Sequence, residues 1–291
     1  MAVRGKLFVH NLRAKKHVPS ELSQTLPLPL HDGKLSGLKT INAIFTGFSV
    51  DVTDDDSIRE LCLNGGFGQG MFSRAFPARL TCSREPGRKQ KRKCPVSNIN
   101  ASRSDSGSNT SRLDDKTRIE PLCLFLEEAF FLMHQLNMLK LKTIDDETIS
   151  VEEAFNTFQR INKGFFAGYC AYLYLKSKNW IIKSGMKFGG DFVIYVKGPQ
   201  FYHASYIVLV QEMYRGKQLG RHVMDGLDFQ GFNRVAETTA KDILFLEVHH
   251  PDSLDLSNGV DCLEKIKDVR VAEMFTKHHN YIASRNMIDN K

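Results

Sequence analysis

The sequence is sparing in features that would place it early. One tryptophan, Trp180, stands among 291 residues. Six cysteines are scattered singly at Cys62, Cys82, Cys94, Cys123, Cys170 and Cys262. None sits in a C-x-x-C pair, which argues against a zinc ribbon or a thioredoxin-like redox site. So thin a spread does not resemble a disulfide scaffold and fits a reducing, intracellular compartment. No apolar run reaches the length of a membrane span. The nearest, LCLFLEEAFFLM, is interrupted by Glu127 and Glu128. The N-terminal stretch MAVRGKLFVHNLRAKKH lacks the continuous apolar segment of a secretory signal. No internal repeat is visible. These absences lead to the expectation of a soluble chain.

The remaining composition is that of an ordinary globular protein, 42% hydrophobic and 25% charged, and the length suggests about two folded units. The net charge of +7 and pI near 9.0 favour a phosphate-bearing partner, such as nucleic acid or a membrane surface. Residues 1–82 read as a partly folded region. It holds a strand, AIFTGFSVDV, and a capped helix, DSIRELCLNGGFG. The glycine-rich GGFGQGMFSR that follows lacks the Gly-Lys-Ser/Thr ending of a phosphate-cradling loop. A turn packed by Phe67 and Phe72 is the favoured reading. Residues 83–118 carry almost no large apolar side chains and read as a disordered linker, basic and rich in Ser. Within it, RKQKRK (Arg88–Lys93) fits a nuclear import signal, a nucleic-acid contact or a solvated charge run.

Residues 119–180 read as a helical segment. PLCLFLEEAFFLMHQLNML has helical periodicity, SVEE (Ser150–Glu153) is a capping box, and GFFAGYCAYLYLKSKNW is a third helix. After Trp180 the period changes to two. WIIKSGMKF, DFVIYV, ASYIVLVQEM, GFNRVAE, DILFLEVH and IKDVRVAEMF all read as strands. A small helical layer followed by a mixed β-sheet makes the expected class α+β, with residues 181–291 as the strand-rich domain.

Three residues at strand ends and in loops stand out: Tyr195, His203 and Lys241. Tyr195 and His203 flank the Gly-Pro turn between two strands, and Lys241 opens the strand DILFLEV. Together they form a metal-free acid–base set. Cleaving an RNA phosphodiester through the neighbouring 2′-hydroxyl needs a proton acceptor, a proton donor to the 5′ oxygen and a positive charge for the phosphorane. Histidine titrates near neutrality and suits either proton role, and lysine suits the charge. Tyrosine, with an ordinary pKa of about 10, acts as a base only where cations lower it. Each residue also has a plainer reading: a packed strand aromatic, a turn cap, a solvated loop lysine.

The stretch LKSKNWIIKSGMKFGGDFVIYVKGPQFYHASYIVLV, with RVAETTAKDILFLEV further on, resembles the tRNA-splicing endonuclease family. The shared elements are an S-K-x-W segment, G-x-K-x-G-x-D-F, a strand closing in tyrosine, H-A-x-Y, and R-V-A-x-x-x-x-K before an apolar strand. The order holds from about Val151 onward. The long turn KGPQFYHASY resembles the eukaryotic catalytic subunit that cuts the 5′ splice site, as do LEEAFFL and GGFGQGMFSR upstream.

The resemblance implies an endonuclease-like C-terminal fold, with residues 181–291 as the catalytic nuclease domain. It implies tRNA-intron endonuclease activity with Tyr195 as general base, His203 as general acid and Lys241 as transition-state stabiliser. It implies 2′,3′-cyclic phosphate and 5′-hydroxyl products with no metal or other cofactor. Precursor tRNA is the implied substrate. The implied partners are another catalytic subunit and two structural subunits in a heterotetramer, and the nucleus is the implied location. Arg234 matches the arginine of the family's cation–π clamp on an RNA base. Met274 and Phe275 stand where the family has the clamp's tryptophan.

Three other readings compete. One is a non-catalytic structural subunit of the same complex, and another a non-enzymatic RNA-binding module. The third is a metal-dependent nuclease using Asp191. For this last, VQEMYR offers Glu212 as a second carboxylate but no lysine two residues on.

Overall fold

The structure, a computed structural model, describes residues 13–15, 40–73, 77, 120–219, 223–256 and 258–276. The expected linker at 83–118, with its Arg88–Lys93 cluster, lies outside the described residues.

The first sheet begins with β1 (Ile41–Phe45) and β2 (Val50–Val52), an antiparallel pair where one continuous strand was expected. The chain reverses through Thr46–Ser49, where Gly47 adopts φ +97°. Helix α1 (Asp55–Leu63) starts where the sequence predicts, with the Asp54 carboxylate accepting the Ser57 N–H. Three glycines at positive φ then turn the chain into β3 (Gln69–Gly70). Gly68 is required at its position: a Cβ there would lie 2.4 Å from Leu122 Cγ. Phe67 is fully buried and stacks on Phe131, whereas Phe72 is 80% exposed, so only one of the two aromatics packs the turn.

The predicted helix from Pro121 divides into three elements. These are β4 (Leu122–Leu124), α2 (Leu126–His134) and β5 (Leu139–Lys142). The pattern misleads because α2 is buried on nearly every side, Glu127 and Glu128 included, so burial leaves little phase to mark where it begins. A helix buried all round is one enclosed by other elements. Asn137, at φ +51°, reverses the chain into β5. The strand order is β3-β4-β2-β1-β5, with β1 and β5 parallel. This sheet therefore draws on both sides of residues 83–118.

Helices α3 (Val151–Ile161) and α4 (Phe165–Ser177) complete the layer between the sheets. The expected capping box at the start of α3 is present, with Ser150 and Glu153 bonding reciprocally. Phe130 of α2 meets Phe155, Phe158, Phe165 and Tyr169 in edge or tilted contacts, the closest pair 4.8 Å apart. Glu128 is buried here as well. Desolvation raises its pKa, while the buried ammonium of Lys183 and then Lys176 oppose the shift. Burial pushes Lys176 down to about 8, and the Lys183 ammonium donates to the Gly68 carbonyl.

The second sheet contains β6 (Ile181–Ser184), β7 (Phe192–Tyr195), β8 (Tyr206–Tyr214) and β9 (Lys217–Leu219). Helix α5 (Gly226–Thr238) follows, then β10 (Asp242–His250), α6 (Gly259–Glu264) and β11 (Arg270–Thr276). The order is β11-β10-β8-β7-β6, with β9 beside β8. The structure is thus α+β, with two mixed sheets.

One predicted strand is wrong: GFNRVAE lies inside α5. Asp225 caps that helix, accepting N–H bonds from Leu227 and Asp228. Phe229, Phe232 and Ala236, spaced i, i+3 and i+7, belong to the cluster packed against the sheet. WIIKSGMKF and IKDVRVAEMF are only partly strand, since Met186–Phe188 and Lys265–Asp268 form 3-10 turns.

Candidate active site

Period-two alternation sorts the second sheet's side chains into two faces. Phe192, Ile194, Tyr206, Val208, Leu244 and Leu246 join the helical core. Val193, Ile207, Leu209, Ile243 and Phe245 join a second cluster with Ala236 of α5, and Tyr195 packs against it. The α5 face therefore carries Tyr195. Lys241 is tied to that face by lying over Phe188, which packs on the cluster, and Ala204, buried in the same cluster, is the neighbour of His203 in the chain.

Backbone register brings the three to one end of the sheet. The Ser205 N–H donates to the Ile194 carbonyl at 2.9 Å, and the Asp242 N–H donates to the Ser205 carbonyl at 3.1 Å. Ser205 thus joins the residue before Tyr195 to the residue after Lys241, and His203 lies two residues before it. β8 and β10 run parallel from this point, with Asp242 opposite Tyr206.

Each position has a local cause. Tyr195 closes β7 and its ring is half-buried; burial raises its pKa above the ordinary tyrosine value. His203 is exposed at the end of the Gly-Pro turn. Gly198, at φ +125°, closes that turn by accepting the Phe201 and Tyr202 N–H groups at 3.1 Å.

Lys241 follows the C-terminus of α5. Ala240 takes the left-handed conformation at φ +52°, and the Ala240 and Lys241 N–H groups bond Glu237 and Ala236 carbonyls. This is a Schellman ending with alanine where glycine is usual. It fixes the Lys241 backbone between helix and strand. The Lys241 ammonium donates to the Thr239 carbonyl at 3.1 Å and lies 4.2 Å from the Phe188 ring centroid. Phe188 packs on the same cluster as Tyr195. Burial, and then the positive charge of Arg13, hold the Lys241 pKa below the ordinary lysine value. Lys241 is therefore partly enclosed and is not the solvated loop lysine of the plainer reading.

Arg234 is exposed on α5, on roughly the opposite side from the buried Ala236. Met274 and Phe275 are half-exposed on β11, while Trp180 is buried against Tyr206 at 6.1 Å. Asp191 and Glu212, the carboxylates of the metal-dependent reading, are engaged elsewhere. Asp191 accepts the Val210 N–H at 2.7 Å, and Glu212 pairs with His250 Nε2 at 2.8 Å. Both line a cleft of about 780 Å³ with Phe125, Glu127, Gly164 and Phe192. Tyr195, His203 and Lys241 do not line it. The register of the three residues, rather than the size of that cleft, marks the site. Among the described residues, no group of three or more His, Cys, Asp or Glu is placed to hold a metal.

Residues 165–256 match the family described as tRNA intron endonuclease, catalytic C-terminal domain. That span contains Tyr195, His203 and Lys241. The chain belongs to the tRNA-splicing endonuclease family. It is 34% identical over 153 residues to tRNA-splicing endonuclease subunit Sen2 of Gallus gallus, covering 51% of this chain and 32% of the relative. It is 32% identical over 145 residues to subunit Sen2-1 of Arabidopsis thaliana, covering 48% of this chain and 58% of the relative. It is 30% identical over 128 residues to a tRNA-splicing endonuclease of Saccharolobus islandicus, covering 44% and 66%. The chain spans about a third of the length of the vertebrate relatives it matches. Among the described residues, no helix of this tRNA-splicing endonuclease homologue is long and apolar enough to cross a membrane.

Two contributors to the site gave no usable sign in sequence. Phe188 read as part of a strand, although it lies in a turn beneath Lys241. Arg13 is far from the site along the chain and follows no pattern that would place it there.

Proposed function

We propose that this chain is a catalytic, Sen2-type subunit of a tRNA-splicing endonuclease that cuts precursor tRNA at the 5′ splice site. The observation that carries this reading is the Ser205 register, which gathers Tyr195, His203 and Lys241 at one end of the sheet. A non-catalytic subunit would have no need of that grouping.

In the proposed reaction the 2′-hydroxyl oxygen attacks the adjacent phosphorus and the bond to the 5′ oxygen breaks. A 2′,3′-cyclic phosphate and a 5′-hydroxyl result. His203, exposed on its turn, gives its proton to the departing 5′ oxygen. Lys241 offsets the negative charge that builds on the phosphorane. Tyr195 faces the 2′-hydroxyl. Burial keeps its phenol protonated at neutral pH, so it first acts as a hydrogen-bonding group and takes a proton only when nearby positive charge lowers its pKa. Tyr195→Phe preserves the ring's packing and should slow cleavage by roughly tenfold, less than loss of His203.

The full assembly is proposed as a heterotetramer with a second catalytic and two structural subunits, acting in the nucleus. Arg234, exposed on α5, is proposed to contact an intron base from outside the chemical centre.

The test is single-turnover cleavage of an intron-containing precursor tRNA by the complex reconstituted with its partner subunits. We expect one cut attributable to this chain, a 2′,3′-cyclic phosphate end, and a rate unchanged by EDTA. Loss of cleavage on chelation, restored by a divalent cation, would return the reading to a metal-dependent nuclease. Tight binding without any cut would leave an RNA-binding module.

A further inference from the structure

The segment Arg13–Lys15 lies against the turn that carries His203, although some 190 residues of chain separate them. The contact is made by backbone. The Lys15 N–H donates to the Phe201 carbonyl at 2.8 Å, and the His203 N–H donates to the Arg13 carbonyl at 3.1 Å. Ala14 and Tyr202 form an antiparallel bridge between these two bonds. A short strand is thus added to the edge of the turn, as an extended peptide pairs with an exposed strand edge. The turn has few other ties: its described backbone bonds are those to Gly198 and those to this segment. Without the segment, the His203 N–H would lose its partner.

The side chain of Arg13 bears on the same place. Arg13 is the residue whose carbonyl holds the His203 N–H, and its exposed side chain starts from that point beside the turn; its charge also helps to hold the Lys241 pKa down. Two cations held near each other repel, and their proximity costs free energy in the empty site. A phosphate between them reverses that sign, because each cation is then attracted to the same anion. Arginine's planar fork suits phosphate oxygens. A residue that served only as a strap would need no charge.

We propose that residues 13–15 are a built-in part of the active site: their backbone holds the His203 turn in its reactive position, and Arg13 adds a second positive charge beside Lys241 for the scissile phosphate. This rests on the proposed cleavage reaction for the role of Arg13. The backbone clamp stands independently of it.

The test uses four variants of the full chain, each reconstituted with the partner subunits and assayed on precursor tRNA in single turnover. Arg13→Ala should slow cleavage by roughly tenfold with little change in affinity, a smaller loss than for a fully enclosed stabiliser. Arg13→Lys should restore most of the rate. Lys15→Pro removes the N–H that bonds Phe201 and should slow cleavage comparably, whereas Lys15→Ala keeps that N–H and should not. Hydrogen exchange at the His203 amide, read on the chain alone, should quicken by roughly tenfold in Lys15→Pro. Unchanged cleavage in Arg13→Ala would overturn the charge role. Faster cleavage in either Arg13→Ala or Lys15→Pro would show the segment to be a cover that must leave. Equal exchange at His203 in Lys15→Pro and wild type would overturn the clamp. If the wild-type complex makes no cut at all, the cleavage reading fails by itself, and the exchange measurement still decides the clamp.

Discussion

Replacing His203 by alanine should slow single-turnover cleavage of precursor tRNA by ~10²–10⁴-fold, the range that general acid–base catalysis supplies. The leaving group sets the size of this effect. An alkoxide is a poor leaving group, so breaking the bond to the 5′ oxygen demands a proton as the bond lengthens. Among the described residues no side chain bonds the exposed His203 ring, so it is open to the substrate. The fold should not suffer, because its tie to the segment at Arg13 is through the backbone N–H, which alanine retains. Affinity for precursor tRNA and thermal stability should therefore stay near wild type while the chemical step collapses. A substrate with a 5′-thio leaving group needs no such proton and should recover much of the lost rate. Wild-type cleavage by the alanine variant, or no recovery with the sulfur substrate, would remove His203 from the acid role.

Lys241→Ala should lower the chemical rate by ~10²–10³-fold, the usual cost of removing one electrostatic stabiliser from a transition state. Its charge counts most when the phosphorane forms, so binding should change little. Structure sets the size of the accompanying stability loss. The ammonium caps the α5 C-terminus through the Thr239 carbonyl and sits over Phe188, so its removal should cost about 0.3–1 kcal/mol. That is too little to explain a hundredfold loss of rate by unfolding.

The pH dependence gives a second reading of Lys241. Burial and Arg13 lower its pKa, so the charged form is present below that lowered value and lost as pH rises through it. At this end of the sheet Tyr195 is shifted upward, away from the range in which Lys241 loses its charge. The contribution of Lys241 should thus fade at lower pH than an ordinary lysine's would. Lys241→Arg retains charge at all these pH values and should abolish that decline while restoring only part of the rate, because its reach and shape differ. A fall in affinity with an unchanged chemical rate would make Lys241 an ordinary contact to the RNA backbone.

The candidate residues could be singled out in sequence because Tyr195, His203 and Lys241 stand at the ends of short apolar strands or in the loops between them. The helix α5 was not readable in the same way. Its Gly226 and Gly231 weaken the helical signal, and the Val235–Ala236 pair beside Arg234 reads as strand when taken alone. The cost of that misreading goes beyond one element. A helix between β8 and β10 is the crossover that parallel pairing requires, so missing α5 also hides the parallel join that brings Lys241 beside Ser205. The β4–α2–β5 division was hidden for the opposite reason: α2 is buried on nearly every side, Glu127 and Glu128 included, so burial leaves little phase to mark its ends. The Arg13 segment pairs through backbone groups, which every residue has, so its sequence holds no sign of its partner.

The first sheet has a bearing on how the protein is made. β3 ends at Gly70, and its antiparallel neighbour β4 begins only at Leu122. As the chain leaves the ribosome, β1 and β2 can pair first, but a lone two-stranded hairpin is marginal in water. They wait for β4 to join β2 and for β5 to lie parallel to β1. A nascent chain ending anywhere before residue 122 therefore lacks both the strands that complete this sheet and the helices among which Ile41, Val50 and Val52 are buried. For a flexible connection, doubling the length costs only about 0.6 kcal/mol of closure entropy. Each residue added between β3 and β4 lengthens the interval before the first sheet can be completed.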